Sequence, residues 1–388
     1  GPRGRIYLIK QALEGAPVTP KTRLHLDRCL TCRNCESTCP SGVTYGRLVE
    51  IGRKIVDDQL DARGESRPLG ERAVRWVLRE SLTRPALFGP ALKLGQAVRP
   101  LLPQVLRNKV PAKQPYAGVR PIATHARKML LLEGCVQPAM SPNINAATAR
   151  VFDKLGVQLI SADRAGCCGA IRYHMNDHVG GLGNARANID AWWPHIEAGA
   201  EAIVMTASGC GAMVKDYGQL LKHLPGYARS AEEIAAKAQD ITEFLAAHDF
   251  GAAKRWSSLR IAYHSACSMQ HGQKIGDQPK RLLRDAGFVV RDPPEGHLCC
   301  GSAGVYNILQ PEIAGQLRDR KVDNLERMRP DLIAAGVLTA GMTLLPRQPR
   351  HAQRSAVLLA DGRIDVEGVV FESASKAAGH ITSGPVNG

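Results

Sequence analysis

The stretch RVFDKLGVQLI, residues 150–160, joins a short amphipathic segment to an apolar run through a glycine. It predicts a helix that ends at Gly156, because glycine readily adopts the left-handed conformation found after many helices, and then a strand. A matching stretch, RLLRDAGFVVR, occupies residues 281–291 and has Gly287 at the corresponding place. The two stretches indicate an internal duplication of a helix–strand unit.

Six cysteines follow the same duplication. The first set recurs 132 residues later, so that Cys135, Cys167 and Cys168 correspond to Cys267, Cys299 and Cys300. In each half an apolar stretch leads to the first cysteine (KMLLLEG at 128–134, RIAYHSA at 260–266), and a third apolar stretch follows further on (EAIVMTAS at 201–208, PDLIAAG at 330–336). Alternating strands and helices predict a parallel sheet in each half, with the cysteines at the carboxyl ends of the strands, where such sheets bind ligands.

A different cysteine pattern lies near the N-terminus, in DRCLTCRNCESTCPSG, residues 27–42. Cys29, Cys32, Cys35 and Cys39 have the spacing of bacterial ferredoxins, in which three thiolates hold one 4Fe-4S cluster and the fourth serves a second cluster. The chain therefore shows three ligands for one cluster and one for another, and we expect the partner motif upstream of Gly1. A zinc knuckle fits less well, because structural zinc sites use two separated pairs of ligands.

The chain divides into four predicted regions. Residues 1–60 form a ferredoxin-type module whose N-terminal part is missing, in which Leu48, Ile51 and Ile55 recur at helical spacing and predict a helix that packs back on the cysteine loop. Residues 61–125 form a helical connector. Its stretch ERAVRWVLRESL, residues 71–82, has one apolar face, formed by Val74, Val77, Leu78 and Leu82. Residues 126–255 and 256–388 form the two cysteine-rich repeats, the second with a divergent tail from about residue 337. The predicted fold class is α/β, with an α-helical module in front of two duplicated halves that have parallel strands.

The adjacent thiols in each repeat favour a multinuclear cluster. Neighbouring cysteines cannot easily chelate one tetrahedral ion, but they can reach different irons, and the glycine after each pair lets the backbone approach the cluster. A vicinal disulfide and a zinc site remain as alternatives. The nearby histidines are expected to be packing or solvent residues rather than ligands; they are His174, His264, His271 and His297.

Composition and charge limit the partners. Hydrophobic residues make up 44% of the chain, and no apolar run approaches the roughly 20 residues that cross a bilayer. With no secretory signal we expect a cytoplasmic protein whose 11 cysteines are ligands rather than disulfides. The net charge is +15, and residues 1–120 hold 22 Lys and Arg against 10 Asp and Glu. This excess favours an acidic partner or an anionic membrane, whereas nucleic acid is not expected because no matching motif accompanies the charge.

The sequence resembles the family of glycolate oxidase (glycolate dehydrogenase) iron-sulfur subunits, which is related to heterodisulfide reductase, anaerobic glycerol-3-phosphate dehydrogenase and lactate utilisation subunits. The resemblance covers residues 1 to about 335 and is carried by GPRGRIYLIK, LHLDRCLTCRNCESTCPSGVTYGRLVEIGR, EGCVQP, CCGA, TASGCGAMVKDYG and CCGSAGVYN. Members of this family carry two ferredoxin-type 4Fe-4S motifs followed by two cysteine-rich repeats with a C…CCG…C pattern. The resemblance implies that the first four cysteines are 4Fe-4S ligands. It places further iron-sulfur or redox sites among Cys135, Cys167, Cys168, Cys210, Cys267, Cys299 and Cys300.

The function that this resemblance implies is electron transfer within a flavin-dependent glycolate dehydrogenase. Flavin-containing subunits would oxidise glycolate to glyoxylate, and this chain would pass the electrons to a quinone or other acceptor, with peripheral association at the cytoplasmic face of the inner membrane. No nucleotide-binding fingerprint or catalytic base and nucleophile set is present for oxidising the substrate unaided. A heterodisulfide-reductase-like, lactate or glycerol-3-phosphate subunit is the alternative.

Two features depart from the family pattern. The first ferredoxin motif is absent, and no cysteine follows Cys300, although the family expects one that matches Cys210. The corresponding position is Ala340 or Met342. We therefore expect the first repeat to be the complete site.

Overall fold

The computed structural model describes residues 1–107, 110–113, 117–248 and 259–335, together with the short strands at 343–344, 356–358, 364–366 and 369–371. No helix in these ranges is both long enough and apolar enough to span a lipid bilayer.

The N-terminal region is helical. Its elements are α1 (Pro2–Leu13), α2 (Pro20–Asp27), α3 (Asn34–Ser37) and α4 (Tyr45–Ala62). The Thr19 side chain accepts a hydrogen bond from the backbone N–H of Thr22, which caps the start of α2. A small core joins α1, α2 and α4 and contains Ile9, Ala12, Val18, Leu26, Val56 and Leu60.

Helix α4 forms where the sequence predicts it, but its buried face is different. Ile51 is 48% exposed, whereas Val49, Val56 and Leu60 are fully buried. The predicted helix that packs back on the cysteine loop is confirmed, since Arg53 of α4 contacts Cys29. Of the residues that predicted it, Leu48 and Ile55 are half-buried and Ile51 is exposed, while α4 also buries the charged pair Glu50 and Arg53.

The connector contains α5 (Leu69–Leu82), α6 (Pro85–Val98), a 3₁₀ turn (Arg99–Leu101) and α7 (Gln104–Arg107). Among the described residues the predicted apolar face of α5 is only partly covered: Val74 and Val77 are 44% and 51% exposed, whereas Leu78 and Leu82 are half-buried. Charged contacts attach α5 to the N-terminal helices instead. Arg67, just before α5, pairs with Asp27 at 2.5 Å and with Asp57 at 2.9 Å.

The first repeat has a four-stranded parallel sheet in the order β2-β1-β3-β4. Its strands are β1 (Arg127–Leu131), β2 (Val157–Ile160), β3 (Ile203–Met205) and β4 (Ala238–Asp240). Its helices are α8 (Gln137–Met140), α9 (Pro142–Lys154), α10 (Ala170–His174), α11 (His178–Glu197), α12 (Ser208–Lys215), α13 (Tyr217–Leu220), α14 (Ala228–Lys237) and α15 (Ile241–Ala246). Helices cover both faces of the sheet, and each face has its own core, one around Trp192 and one around Phe152.

The second repeat has a three-stranded parallel sheet in the order β6-β5-β7. Its elements are β5 (Arg260–His264), a π-helical turn (Ser268–Gly272), α16 (Gln278–Asp285), β6 (Val289–Arg291), α17 (Tyr306–Leu309), α18 (Pro311–Glu326) and β7 (Leu332–Ala335). In both repeats the first strand is central, with the second strand on one side and the third on the other. The predicted parallel α/β fold is confirmed.

Four short strands follow in the tail: β8 (Thr343–Leu344), β9 (Ala356–Leu358), β10 (Ile364–Val366) and β11 (Val369–Phe371). They form an antiparallel sheet in the order β11-β10-β9-β8. Positions 340 and 342, where the sequence comparison places the missing cysteine, lie outside the described residues.

Candidate functional site

The N-terminal cysteines lie in the loop between α2 and α4. Thr31 and Arg33 have φ angles of 52° and 57°, in the left-handed region that residues other than glycine rarely occupy. These two residues curl the loop and bring Cys29, Cys32 and Cys35 into electrostatic contact. Burial raises the pKa of Cys32, and the neighbouring thiols of Cys29 and Cys35 raise it further. The loop therefore presents three thiols as a group.

Cys39 lies apart from this group, beyond α3. The backbone N–H groups of Val43 and Ser41 hydrogen bond to its sulfur and lower the pKa of Cys39, and Arg3 on α1 lowers it further. The thiols of Cys29, Cys32 and Cys35 thus influence one another, whereas the main contacts of Cys39 are with the backbone of the turn that follows it.

Arg53 of α4 holds the backbone of the cysteine loop through hydrogen bonds. Its guanidinium is only 7% exposed and donates hydrogen bonds to the carbonyl oxygens of Leu26 (3.1 Å) and Cys29 (2.6 Å) and to the hydroxyl of Thr31 (3.1 Å). The Leu26 carbonyl also accepts a hydrogen bond from the backbone N–H of Cys29, at 3.0 Å, whereas the carbonyl of Cys29 is satisfied by Arg53.

Glu50 links this loop to the first repeat. Its carboxylate lies 3.5 Å from the Arg53 guanidinium and 3.0 Å from Nδ1 of His174, the last residue of α10. Burial raises the pKa of Glu50, but the His174 imidazole and the Arg53 guanidinium outweigh this effect and hold the pKa below its usual value. A buried ionised carboxylate therefore joins the N-terminal loop to the helix that follows the first cysteine pair.

The four cysteines of the first repeat form a continuous chain of thiols. Cys135 follows β1, Cys167 and Cys168 precede α10, and Cys210 lies in α12. The Cys167 thiol is close enough to those of Cys135 and Cys168 to influence their ionisation, and the Cys168 thiol is similarly close to that of Cys210. The contacts with Cys135 and Cys168 lower the pKa of Cys167, whereas the contacts with Cys167 and Cys210 raise the pKa of Cys168.

Both adjacent pairs have the same backbone arrangement. Gly169 and Gly301 have φ angles of +92° and +86°, and their N–H groups lie 3.4 Å from the sulfurs of Cys167 and Cys299. A Cβ atom at either glycine would collide with a backbone oxygen of the next long helix, α11 or α18. The glycine is therefore required by the close approach of that helix, which is a reason that the sequence did not reveal.

The second repeat brings its three cysteines together in the same order. The Sγ atoms of Cys267 and Cys299 are 3.6 Å apart, and Cys299 hydrogen bonds with Cys300. The Cys300 thiol also lies within hydrogen-bonding reach of His264, the last residue of β5. The hydrogen bond with Cys267 is the main reason that the pKa of Cys299 is raised.

All three sets of cysteines border one cavity of about 770 Å³. The thiol-bearing residues of its wall are Cys29, Cys32, Cys135, Cys168, Cys210, Cys267 and Cys300. Cys32 from the N-terminal loop is close enough to Cys267 of the second repeat to influence its ionisation. The N-terminal module and both repeats therefore face a common interior space.

Polar contacts hold the three parts around this cavity. Arg33 in the cysteine loop forms an ion pair with Asp216 of the first repeat. Ser37 Oγ lies 2.9 Å from Nδ1 of His271 in the second repeat. The two repeats contact each other through the hydroxyls of Ser208 and Ser268, which are 2.8 Å apart.

Comparison with known proteins agrees with this arrangement. The family model described as "Cysteine-rich domain" (CCG) matches residues 129–215 and 261–342, one match in each repeat. The chain is 51% identical over 333 residues to the glycolate oxidase iron-sulfur subunit of Escherichia coli (strain K12), covering 86% of this chain and 81% of that protein. The chain belongs to the glycolate oxidase iron-sulfur subunit family.

More distant relatives include a probable glycolate oxidase iron-sulfur subunit of Bacillus subtilis (strain 168), 27% identical over 98% of this chain and 89% of that protein. Lactate utilization protein A of Bacillus pumilus is 30% identical over 51% of this chain and 82% of that protein.

The donor atoms suit iron-sulfur clusters, as membership of this family leads one to expect. Thiolates are soft ligands, which favour iron-sulfur clusters, zinc and Cu(I). Among the described residues, no three His, Cys, Asp or Glu side chains are placed to hold a single metal ion. The thiols of each repeat instead lie next to one another in succession, and five of them border the cavity: Cys135, Cys168, Cys210, Cys267 and Cys300.

The sequence analysis did not identify Glu50 and Arg53 as a buried pair that holds the cysteine loop, although their spacing on one side of α4 could have indicated it. Charged residues three positions apart share a helix face, and two of them on an apolar face indicate a buried pair. The expectation that the histidines are not ligands stays a prediction, and the structure gives their surroundings. His174 contacts Glu50, and His271 contacts Ser37 and a backbone carbonyl, whereas His264 is buried beside a cysteine.

Proposed function

We propose that this chain is the iron-sulfur electron-transfer subunit of a flavin-dependent glycolate dehydrogenase, which oxidises glycolate to glyoxylate. The observation that carries the proposal is the single cavity bordered by thiols of the N-terminal loop and of both repeats. Clusters held at its walls would lie close to one another, as stepwise electron transfer requires. The 51% identity to the E. coli subunit supports glycolate as the substrate of the complex.

The positions of the N-terminal cysteines suggest which cluster each of them would bind. Cys29, Cys32 and Cys35 would hold one 4Fe-4S cluster, and Cys39, which lies apart, would serve the second cluster of a complete ferredoxin-type module. A further iron-sulfur cluster would be held at the CCG repeats. Clusters of this kind accept and release single electrons. They would therefore let the complex transfer, one at a time, the two electrons that a flavin takes from glycolate.

The surrounding residues would set the reduction potentials. Hydrogen bonds to cluster sulfurs and burial are the main means by which a protein tunes such potentials. The backbone N–H groups of Thr31, Gly169 and Gly301 each lie 3.4 Å from a cysteine sulfur, those of Cys29, Cys167 and Cys299. Cys29, Cys167 and Cys299 are also buried.

The basic N-terminal third is the proposed docking region. Residues 1–120 carry an excess of twelve positive charges, 22 against 10, which would attract an acidic face of the flavin-containing subunits or anionic lipid. We propose peripheral association with the cytoplasmic face of the inner membrane, where a quinone or another acceptor would receive the electrons.

The proposal is tested on the complex assembled with its flavin-containing subunits and purified without oxygen. Iron, sulfide and zinc are measured per chain, and the clusters are followed by electron paramagnetic resonance (EPR) after glycolate is added. We expect iron and sulfide rather than zinc, and cluster reduction by glycolate. Zinc in place of iron, or loaded clusters that glycolate does not reduce in the assembled complex, would contradict the proposal.

Lactate is the second candidate substrate, because lactate utilization protein A matches about half of the chain. Heterodisulfide-reductase-like and glycerol-3-phosphate dehydrogenase subunits share the cysteine pattern. Cluster reduction by glycolate, lactate and glycerol 3-phosphate is compared in parallel, and reoxidation of the reduced clusters by a disulfide tests the fourth candidate. Faster reduction by glycolate supports the first candidate.

A further inference from the structure

The two repeats arrange their donor atoms in the same way. In the first repeat the second cysteine of the adjacent pair, Cys168, contacts the fourth thiol, Cys210. In the second repeat the corresponding cysteine, Cys300, contacts the imidazole of His264. His264 is thus the neighbour of Cys300 in the second repeat, as Cys210 is the neighbour of Cys168 in the first repeat.

His264 has the environment of a ligand rather than of a surface residue. It is 6% exposed and borders the same cavity as Cys267 and Cys300. Its Nδ1 is buried, and although the Cys300 thiol lies nearby, no described residue forms a hydrogen bond of normal geometry with this nitrogen. A buried imidazole nitrogen without a partner carries a desolvation cost, which a metal ion would remove.

The sequence shows complementary changes between the repeats. His264 ends β5, and the residue 132 positions earlier is Leu132, which is buried in the core of the first repeat. The first repeat therefore has a leucine at this position and a cysteine at 210. The second has a histidine at this position and no cysteine anywhere after Cys300.

We propose that His264 is the fourth protein ligand of the cluster in the second repeat, in the role that Cys210 has in the first. The proposal rests on the proposed iron-sulfur function. It makes the donor set of the second repeat three thiolates and one imidazole, contributed by Cys267, Cys299, Cys300 and His264. Imidazole is an established iron ligand, and exchange of thiolate for imidazole raises the potential of a cluster. The two repeats would then hold centres of different potential, with the second the stronger electron acceptor.

The test uses the full chain, purified and loaded with iron and sulfide without oxygen and labelled with ¹⁵N-histidine. Pulsed EPR of the reduced protein detects nitrogen bound directly to a paramagnetic cluster. We expect a histidine-nitrogen coupling in the wild type that changes on labelling and disappears in His264→Ala, together with a loss of iron per chain.

His264→Cys provides a second readout that does not depend on the loss of a ligand. This variant should keep the wild-type iron content, lose the nitrogen coupling and show a lower midpoint potential, because thiolate donates more negative charge than neutral imidazole. The matched control is His271→Ala, since the ring of His271 already hydrogen bonds with Ser37 and with the carbonyl of His297. It should leave the coupling unchanged.

An iron-loaded wild type without histidine-nitrogen coupling, or a coupling that survives in both His264 variants, would overturn the assignment of His264 while leaving the proposed function intact. A wild type that binds no iron under these conditions would overturn both.

Discussion

Replacement of Arg53 with methionine should destabilise the protein strongly, even though arginine is usually a surface residue. Methionine preserves most of the length of the side chain but cannot donate hydrogen bonds. The change therefore removes the side-chain donor to the carbonyl oxygens of Leu26 and Cys29 and leaves Glu50 with the His174 imidazole as its remaining contact.

The expected size of the effect follows from burial. A buried acceptor left without a partner costs about 1–3 kcal/mol, and removal of one member of a buried ion pair costs about 3–5 kcal/mol. These costs are not additive, because one guanidinium serves all of the acceptors. We therefore expect Arg53→Met to lower the free energy of unfolding by about 3–5 kcal/mol.

The assay is urea denaturation of the anaerobically purified chain, followed by circular dichroism. Arg47 is the matched control, because it lies on the same helix, is 47% exposed and approaches Asp216 only to 4.0 Å. Arg47→Met should cost at most about 1 kcal/mol. Addition of Glu50→Gln to Arg53→Met should recover part of the loss, since the buried carboxylate is then uncharged.

Equal unfolding free energies for Arg53→Met and Arg47→Met would refute this reasoning. So would a double variant that is as unstable as the sum of the two single variants, because the Glu50 charge would then play no part in the cost.

Three further predictions concern the cysteine sites and the loop before the second pair. Cys32→Ser should lower both the iron content and the EPR signal of the assembled complex, because a lost thiolate exposes an iron; unchanged iron would rule out the ferredoxin-type assignment. Gly169→Ala should destabilise the protein by about 1–3 kcal/mol more than Gly199→Ala. Both glycines have positive φ angles, of +92° and +94°, but only at Gly169 would the new Cβ meet a backbone oxygen, and equal urea midpoints would contradict this expectation. Glu295→Gln should destabilise the protein at pH 6, because the hydrogen bond from Arg320 lowers the pKa of Glu295 to about 2. A carboxylate with a lowered pKa stabilises the fold above its unfolded pKa of about 4.3, so the difference between variant and wild type should shrink as the pH falls from about 4 towards 2. A difference that stays constant over that range would argue against it.

The parallel α/β fold could be predicted because its signals are local. The helix, glycine and strand at 150–160 and again at 281–291 appear as α9 followed by β2 and as α16 followed by β6. The strands before the first cysteine of each repeat are β1 and β5, both central in their sheets. Periodicity and a helix-ending glycine act over a few residues, so a single sequence contains them.

The buried faces of α4 and α5 could not be predicted in the same way. Periodicity indicates which residues share a face, but it does not indicate which face meets another part of the chain. In α4 the buried side includes Glu50, whose partner His174 is 124 residues away. In α5 the apolar residues Val74 and Val77 are exposed, whereas the charged residues Arg75 and Glu80 of this helix pair with Asp27 and Arg172. Long-range contacts of this kind depend on tertiary structure.

The contacts around Glu50 explain how the cysteine loop and the first repeat can act as one unit. Arg53 fixes the backbone at Cys29, Glu50 fixes Arg53, and His174 fixes Glu50 from the end of the helix that follows the first cysteine pair. A shift of that helix would therefore alter both ends of the ion pair and move the loop that carries Cys29. The reduction potential of an iron-sulfur cluster depends on its hydrogen bonds and on its burial. The difference in reduction potential between two neighbouring clusters would therefore stay constant only if the residues around both clusters keep their relative positions. A buried charged connection achieves this at a cost in stability, since a well-packed apolar pair is often at least as stable. In the proposed electron-transfer subunit, the need to hold the surroundings of two clusters together would be a reason to keep charged residues there.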